Sequence, residues 1–176
     1  MKKVSKSNRY RLPVNFLFLS ALIVAADQLS KHWAFETLFL PNTSFKVSSF
    51  LNLVPVWNRG VSFGILSQSG DMMPMIITII TVLITICLII WLIKAQKLIT
   101  KVSLSFIIGG AVGNIIDRVE YGAVIDFLDF HAFGLHWPAF NIADSAITVG
   151  VGIFFYENFV LRLSLIHISE PTRRYR

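Results

Sequence analysis

The stretch that decides the fold is MMPMIITIITVLITICLIIWLI, residues 72–93, an unbroken run without a charged side chain. A helix that crosses a lipid bilayer needs about 20 mostly apolar residues. The run therefore predicts a transmembrane helix from Met72 to Ile93. The composition agrees, because 55% of the 176 residues are hydrophobic and only 15% are charged. A soluble domain of this length could not bury that much apolar surface.

Three further segments are long and apolar enough to span a membrane, which gives four predicted spans: Leu12–Trp33, Met72–Ile93, Ile99–Val119 and Asn141–Leu161. Lysine and arginine cluster before the first span and in the short link at 94–101, and none lies between Val119 and Asn141. The positive-inside rule then predicts a multi-pass protein with both termini in the cytoplasm. The longer loops, 34–71 and 120–140, are predicted on the opposite side. The net charge of +6 fits this topology and gives no indication of a nucleic-acid partner.

The two outer loops carry strand-like sequence. Residues 45–57 read FKVSSFLNLVPVW, rich in β-branched and aromatic residues, and predict one or two short strands with Pro55 at an edge. Residues 123–130, AVIDFLDF, predict another strand. A small sheet resting on a helical bundle is the expected result.

Both ends of the chain need interpretation. The basic start followed by an apolar run is also typical of a cleaved signal peptide, but more membrane sequence follows, which favours a retained first span. Residues 1–163 are predicted to form a single integral membrane domain. The polar and basic stretch 164–176, SLIHISEPTRRYR, resembles a translated adapter, so it is predicted to be a non-native or disordered tail.

Polar side chains inside spans are costly, so each needs a partner or a purpose. Asp27 and Lys31 are four residues apart and share a helix face. Their simplest interpretation is a salt bridge at the membrane interface, with Lys31 reaching outward. Asn114 and Arg118 share a face of the third span beside Asp117, where a purely structural network is the alternative to a site.

Two aspartates can meet at the outer ends of adjacent spans. Asp126 follows the third span and Asp144 opens the fourth, so the chain direction brings both to one side. Plain structural roles exist for each, as an exposed loop acid and as a helix N-terminal acid. If they meet, two close carboxylates share one proton and can activate a water against a peptide bond, the arrangement of aspartic proteases.

Other catalytic chemistries lack their sequence patterns. The chain has no HExxH, CxxC or GxSxG motif, and its four histidines show no metal-ligand spacing. Its single cysteine, Cys87, lies within an apolar run and is predicted to be a packing residue. Neither a metal nor a cofactor is therefore expected.

Five short motifs occur in order along Leu12–Leu161: DQLSK, WNRGVSFG, GGAVGNIIDR, VIDFLDF and FNIADS. Together they resemble those of the lipoprotein signal peptidase (signal peptidase II) family. The resemblance implies an all-α membrane protein with four transmembrane helices and a small extracytoplasmic β-cradle. It also implies that Asp126 and Asp144 form a catalytic dyad. The resemblance further implies supporting or substrate-binding roles for Asp27, Lys31, Asn58, Gly60, Asn114, Arg118 and Asn141.

The resemblance also implies a substrate and a location. The substrate would be a prolipoprotein carrying diacylglycerol on its cysteine, cut just before that cysteine. The enzyme would lie in the bacterial cytoplasmic (inner) membrane among lipids, with its active site near the outer face, and would accept globomycin as an inhibitor. A monomer is expected. Arg59 and Ser62 depart from the family pattern, which leaves the role of Arg59 open.

Two other functions are compatible with buried polar residues in a membrane. A small transporter or channel would carry polar residues along one face through the full membrane depth. Here they concentrate near the outer ends, and the second span has only threonines and Cys87. A structural subunit would show no dependence on paired acids.

Overall fold

Helices make up most of the chain in a computed structural model that describes residues 13–60 and 72–160. Helix α1 (Val14–Ala34) continues as a π-helical segment (Phe35–Phe39), and α2 (Met72–Lys94) and α3 (Leu98–Tyr121) follow. Helix α4 (Ile142–Phe155) continues as a second π-helical segment, Tyr156–Val160. The basic N-terminal segment, Leu12, Ser62 and the tail 164–176 lie outside the described residues.

Three of these helices are long and apolar enough to cross a membrane: Val14–Phe39, Met72–Lys94 and Leu98–Tyr121. They confirm three of the predicted spans to within a few residues at each end. The α-helical part of α4 has 14 residues, shorter than a bilayer requires, so the fourth span stays a prediction.

Helix α3 packs against the other three helices, and its small residues are what allow this. A methyl group on Gly110 would overlap the carbonyl oxygen of Ala143, and one on Gly113 would overlap the carboxylate of Asp27. The Ser103 hydroxyl donates to the Gly150 carbonyl at 2.7 Å, a second close approach between α3 and α4. The small residues of α3 therefore allow close helix packing.

A four-stranded antiparallel sheet, in the order β1-β2-β3-β4, joins the bundle through its loops. The strands are β1 (Phe45–Lys46), β2 (Leu51–Asn58), β3 (Val124–Ala132) and β4 (Leu135–His136). The strands predicted in both loops are therefore present. Pro55 is not on an edge strand as expected. It lies in a bulge of β2 between Leu53 and Val56, where a residue without an N–H removes no ladder hydrogen bond.

Alternation along β3 separates its apolar and acidic side chains. Ile125 and Phe127 pack with Ala34 and Leu38 in a buried cluster at the end of α1. Because successive strand residues point to opposite faces, Asp126 projects from the other face of the sheet. The apolar cluster thus fixes the strand that presents Asp126.

Replacing Gly110 by alanine is expected to destabilise the protein by about 1–3 kcal/mol, since the added methyl group must push α4 away. Thermal unfolding in detergent measures the change. Gly152→Ala is the matched control, because a methyl group at that helical position meets no atom within 4 Å. Equal melting temperatures for the two variants would contradict the close α3–α4 contact.

Candidate active site

Asp126 and Asp144 lie at the junction of β3 and the N-terminus of α4. Asp126 is 1% exposed within β3. Asp144 is the third residue of α4 and is partly buried. The helix end favours an acid there, so the plain structural role proposed for Asp144 also holds. The burial of Asp126 within β3, in contrast, excludes its interpretation as an exposed loop acid.

Two asparagines connect these carboxylates. The Asn141 side-chain amide donates to Asp126 Oδ1 at 2.7 Å and to Asn114 Oδ1 at 3.2 Å. The Asn114 amide donates to Asp144 Oδ1 at 2.8 Å. Asn141 also caps α4, since its Oδ1 accepts the Asp144 N–H at 2.9 Å. One fully buried asparagine therefore contacts both aspartates and begins the helix that carries one of them.

Asn58 completes the surroundings of Asp126. Its amide donates to Asp126 Oδ2 at 2.9 Å, and its own Oδ1 accepts the Gly60 N–H at 2.8 Å. Gly60 has a φ of +80°, a conformation that glycine adopts without strain. The turn at Gly60 thus holds the Asn58 side chain beside the carboxylate.

The pKa of Asp126 is raised from 3.8 to about 7, chiefly because burial disfavours the charged form. The hydrogen bond from Asn58 opposes this change and lowers the pKa, while the negative charge of Asp144 raises it. Asp126 can therefore hold a proton at neutral pH beside a second carboxylate.

Lys31 is buried rather than reaching outward. Its Nζ lies 2.8 Å from Asp27 Oδ2, 2.8 Å from Asp117 Oδ2 and 2.9 Å from Asn114 Oδ1. The predicted Asp27–Lys31 pair is present, but the expectation that Lys31 reaches outward is wrong, since its side chain is only 2% exposed. Its second acidic partner comes from α3, and this pairing satisfies the ammonium inside the bundle. The network reaches Asp144 through Asn114.

Arg118 adds a donor at the same end of α3. Its Nη1 donates to the Asn114 carbonyl at 3.4 Å, and its charge interacts with Asp144, Asp117 and Asp126. Its Nε is buried, and within residues 13–60 and 72–160 it has no hydrogen-bond partner. A buried donor of this kind is available to an acceptor that the protein itself does not supply.

All nine site residues predicted from the sequence lie in this one region, and so does Asp117, which the sequence placed beside Asn114 and Arg118 without a separate role. Its carboxylate is 1% exposed and bonds Lys31, Gln28 and the Ile125 N–H. The feature of the sequence that indicates it is its position in a polar group within an apolar span.

A second polar cluster, with Asn52 and His136 on Asp129, lies farther along the sheet. Within the described residues, no group of three potential ligands is arranged to hold a metal ion.

A sequence profile of the family described as Signal peptidase (SPase) II matches residues 19–160. The chain belongs to the signal peptidase II family. The prediction made from the five motifs is confirmed. Membership makes the chain a protease of a family of bacterial membrane enzymes, with a prolipoprotein as the implied substrate.

Curated relatives named lipoprotein signal peptidase match most of this chain. The lipoprotein signal peptidase of Syntrophotalea carbinolica is 41% identical over 78% of this chain and 86% of its own length. The lipoprotein signal peptidase of Janthinobacterium sp. is 43% identical over 89% of this chain and 93% of its own length. The region matched by the signal peptidase II profile, residues 19–160, contains every residue of the site.

Two solved structures, each described as a bacterial membrane enzyme, share the fold. One is 32% identical, with a TM-score of 0.64 over 93% of this chain and 94% of that chain. The other is 37% identical, with a TM-score of 0.70 over 84% of this chain and 94% of that chain. The arrangement of helices and sheet is therefore the one found in solved membrane enzymes.

Proposed function

We propose that this chain is an aspartic endopeptidase that removes the signal peptide from diacylglyceryl-modified prolipoproteins, with Asp126 and Asp144 as its catalytic dyad. The observation that carries the proposal is the position of Asn141, whose side chain bonds Asp126 and caps the helix that begins beside Asp144. One side chain therefore connects the two acidic residues, of which Asp126 is buried. Family membership supplies the class of substrate.

In the proposed reaction Asp126 starts protonated and Asp144 ionised. Asp144 takes a proton from a water as the water oxygen bonds to the scissile carbonyl carbon. Asp126 hydrogen-bonds and protonates the carbonyl oxygen, which stabilises the tetrahedral intermediate. Collapse of the intermediate breaks the C–N bond as Asp144 passes its proton to the departing amine and Asp126 takes a proton back from a hydroxyl group of the intermediate. The products are a signal peptide with a free carboxylate and a lipidated cysteine with a free amino group.

The neighbouring side chains have positioning roles in this scheme. Asn58 and Asn141 each donate to one oxygen of Asp126, which fixes the plane of its carboxyl group. Asn114 holds Asp144 in the same way. The buried Nε of Arg118 is a suitable donor for a substrate carbonyl. Arg118 is then the member of the set that touches the substrate backbone.

The lipid on the substrate explains why the protease is a membrane protein. Acyl chains keep the substrate in the bilayer, so the scissile bond stays near an interface. We place this interface on the outer side of the bacterial cytoplasmic membrane, with four spans and both termini inside, because of the distribution of lysine and arginine. The active form is proposed to be a monomer that also binds globomycin.

Complementation tests the proposed activity in cells. Bacteria depleted of their own lipoprotein signal peptidase accumulate unprocessed prolipoprotein, which migrates as a larger species. Expression of this chain is expected to restore the mature size, while Asp144→Asn at equal membrane abundance is not. Failure of the wild-type chain to restore processing would overturn the proposal.

The cleavage rate is expected to fall as the pH rises above about 7, the pKa of Asp126. Because that pKa is raised, the proton is held in weakly acidic solution and is lost as the pH rises through about 7. The dyad then has no acid to protonate the carbonyl oxygen. We expect kcat/KM, which reports the pKa of the free enzyme, to show an alkaline limb near 7 when it is measured from about pH 5 to about pH 9. A rate that stays constant to the top of this range would contradict the role of Asp126.

The variant Asn58→Ala tests whether the fall in rate at alkaline pH reports the titration of Asp126. Its hydrogen bond lowers the pKa of Asp126, so its loss is expected to move the limb to higher pH. Asn52→Ala is the matched control, since Asn52 lies on the same strand but donates to Asp129 at 3.0 Å. The control is expected to leave the limb in place. Equal limbs for both variants would show that another group titrates.

A further inference from the structure

Lys31 is held between carboxylates from two helices. Asp27 of α1 and Asp117 of α3 each place an Oδ2 atom 2.8 Å from its Nζ. All three side chains are at most 2% exposed. Ion pairs of this kind are stable only when hydrogen bonds satisfy their remaining oxygens. The partners that supply those hydrogen bonds are therefore informative.

Each carboxylate accepts a backbone N–H next to a proposed catalytic residue. Asp27 Oδ1 accepts the Ala143 N–H at 2.8 Å, and Ala143 directly precedes Asp144. Asp117 Oδ2 accepts the Ile125 N–H at 3.1 Å, and Ile125 directly precedes Asp126. The backbone N–H groups that precede the two dyad residues are thus hydrogen-bonded to the two carboxylates that hold Lys31.

These bonds fix a distance that the chain alone would leave loose. Asp126 and Asp144 belong to a strand and to a helix, connected by the β3–β4 hairpin and the residues that follow it. Hydrogen bonds to a charged carboxylate are short and strong. The Ala143 N–H is also one of the free donors at the start of α4. A bridge through Lys31 joins the two segments beside Asn141, since Lys31 and Asn141 both donate to Asn114 Oδ1.

We propose that Lys31, Asp27 and Asp117 form a clamp that sets the separation of the two dyad carboxylates, and that Asp117 is a positioning residue for cleavage. The inference rests on the proposed function, because it assumes that Asp126 and Asp144 are catalytic. Asp117 acts through the backbone at Ile125 and through Lys31, and it does not touch the substrate. Its loss should therefore change the chemical step and leave substrate binding almost intact.

Asp117→Ala and Asp117→Asn test the clamp. Both leave Lys31 paired with Asp27. Alanine removes the acceptor for the Ile125 N–H, and asparagine keeps an oxygen there. We expect kcat for a diacylglyceryl prolipoprotein peptide to fall about 100-fold in the alanine variant and about 10-fold in the asparagine variant, with KM changed less than about threefold. Glu120→Gln, one turn farther on the same helix and exposed, is the matched charge control with unchanged kcat.

The pH profile separates positioning from a general structural role. A looser dyad admits water and moves Asp144 away, and both changes lower the pKa of Asp126. The alkaline limb should then move to lower pH in both Asp117 variants, whereas a smaller fraction of folded enzyme would leave it in place. If Asp117→Ala does not fold, Asp117→Asn decides alone. Unchanged kcat and an unchanged limb would overturn the clamp.

Two further measurements distinguish a failure of the clamp from a failure of the proposed function. Wild type and Asp126→Asn are measured with the same peptide. If wild type does not cut it, or if Asp126→Asn cuts as fast, the proposed function fails. If these two behave as expected and the Asp117 variants match wild type, only the clamp fails.

Discussion

Asp126→Asn and Asp144→Asn are each expected to lower kcat by at least about 1,000-fold while leaving the protein folded. The asparagine keeps the size of the side chain and one acceptor oxygen, but it cannot exchange a proton. Without Asp144 no base takes the proton from the water, and without Asp126 no acid serves the carbonyl oxygen. The two losses should not add in the double variant, because both residues act in one step.

Asp129→Asn is the control for both variants. Asp129 lies on the same strand as Asp126 and is also buried, but its partners are Asn52 and His136. Its rate is expected to stay within about threefold of wild type. Substantial cleavage by either dyad variant, with the control unaffected, would assign the chemistry to other residues.

Lys31→Met is expected to lower the free energy of unfolding by about 3–5 kcal/mol, the largest stability effect that the structure predicts. The substitution keeps the length of the side chain but leaves two buried carboxylates, on Asp27 and Asp117, facing each other without a cation. One of them must then take up a proton. The bonds to Ala143 and Ile125 weaken, so activity should fall with stability.

Thermal unfolding in detergent compares this variant with Lys46→Met. Lys46 is an exposed residue of β1, so its replacement should change stability by no more than about 0.5 kcal/mol. Comparable melting temperatures for the two variants would contradict the buried network. A loss in Lys31→Met that Asp27→Asn partly restores would support it, because the second change removes one of the uncompensated charges.

The helices and the local pairs were predictable because each has a short-range signal. Lipid requires long apolar runs, so α2 and α3 follow from hydropathy. The Asp27–Lys31 pair follows from the helical period. The strands in both loops follow from β-branched and aromatic content. In each case the deciding residues are neighbours along the chain.

The environment of Lys31 was not predictable in the same way. An isolated lysine near the end of a span is expected at the interface. Its second partner, Asp117, lies on another helix, so only the tertiary fold shows that the ammonium is buried. The bulge at Pro55 is a similar case, because the register of β2 on β3 depends on both strands. The sequence indicates that Asp117 belongs to a polar group on α3, but not that it bonds Lys31 and the Ile125 N–H.

The sequence of the fourth predicted span combines apolar residues with polar residues of the site. Residues 141–161 are apolar, but the helix begins with Asn141 and Asp144, whose side chains turn toward the site. Its regular part is therefore shorter than a bilayer requires, and it continues as a π-helical segment. The count of four spans remains a prediction that rests on hydropathy.

The most direct test of the central claim is mass spectrometry of the products that the purified protein forms from a diacylglyceryl prolipoprotein in detergent with a metal chelator. Two products are expected: a signal peptide that ends just before the lipidated cysteine, and a lipidated product that begins at that cysteine. Asp144→Asn is expected not to cleave the same peptide. Cleavage at another bond, or no cleavage by folded wild-type protein, would contradict the account.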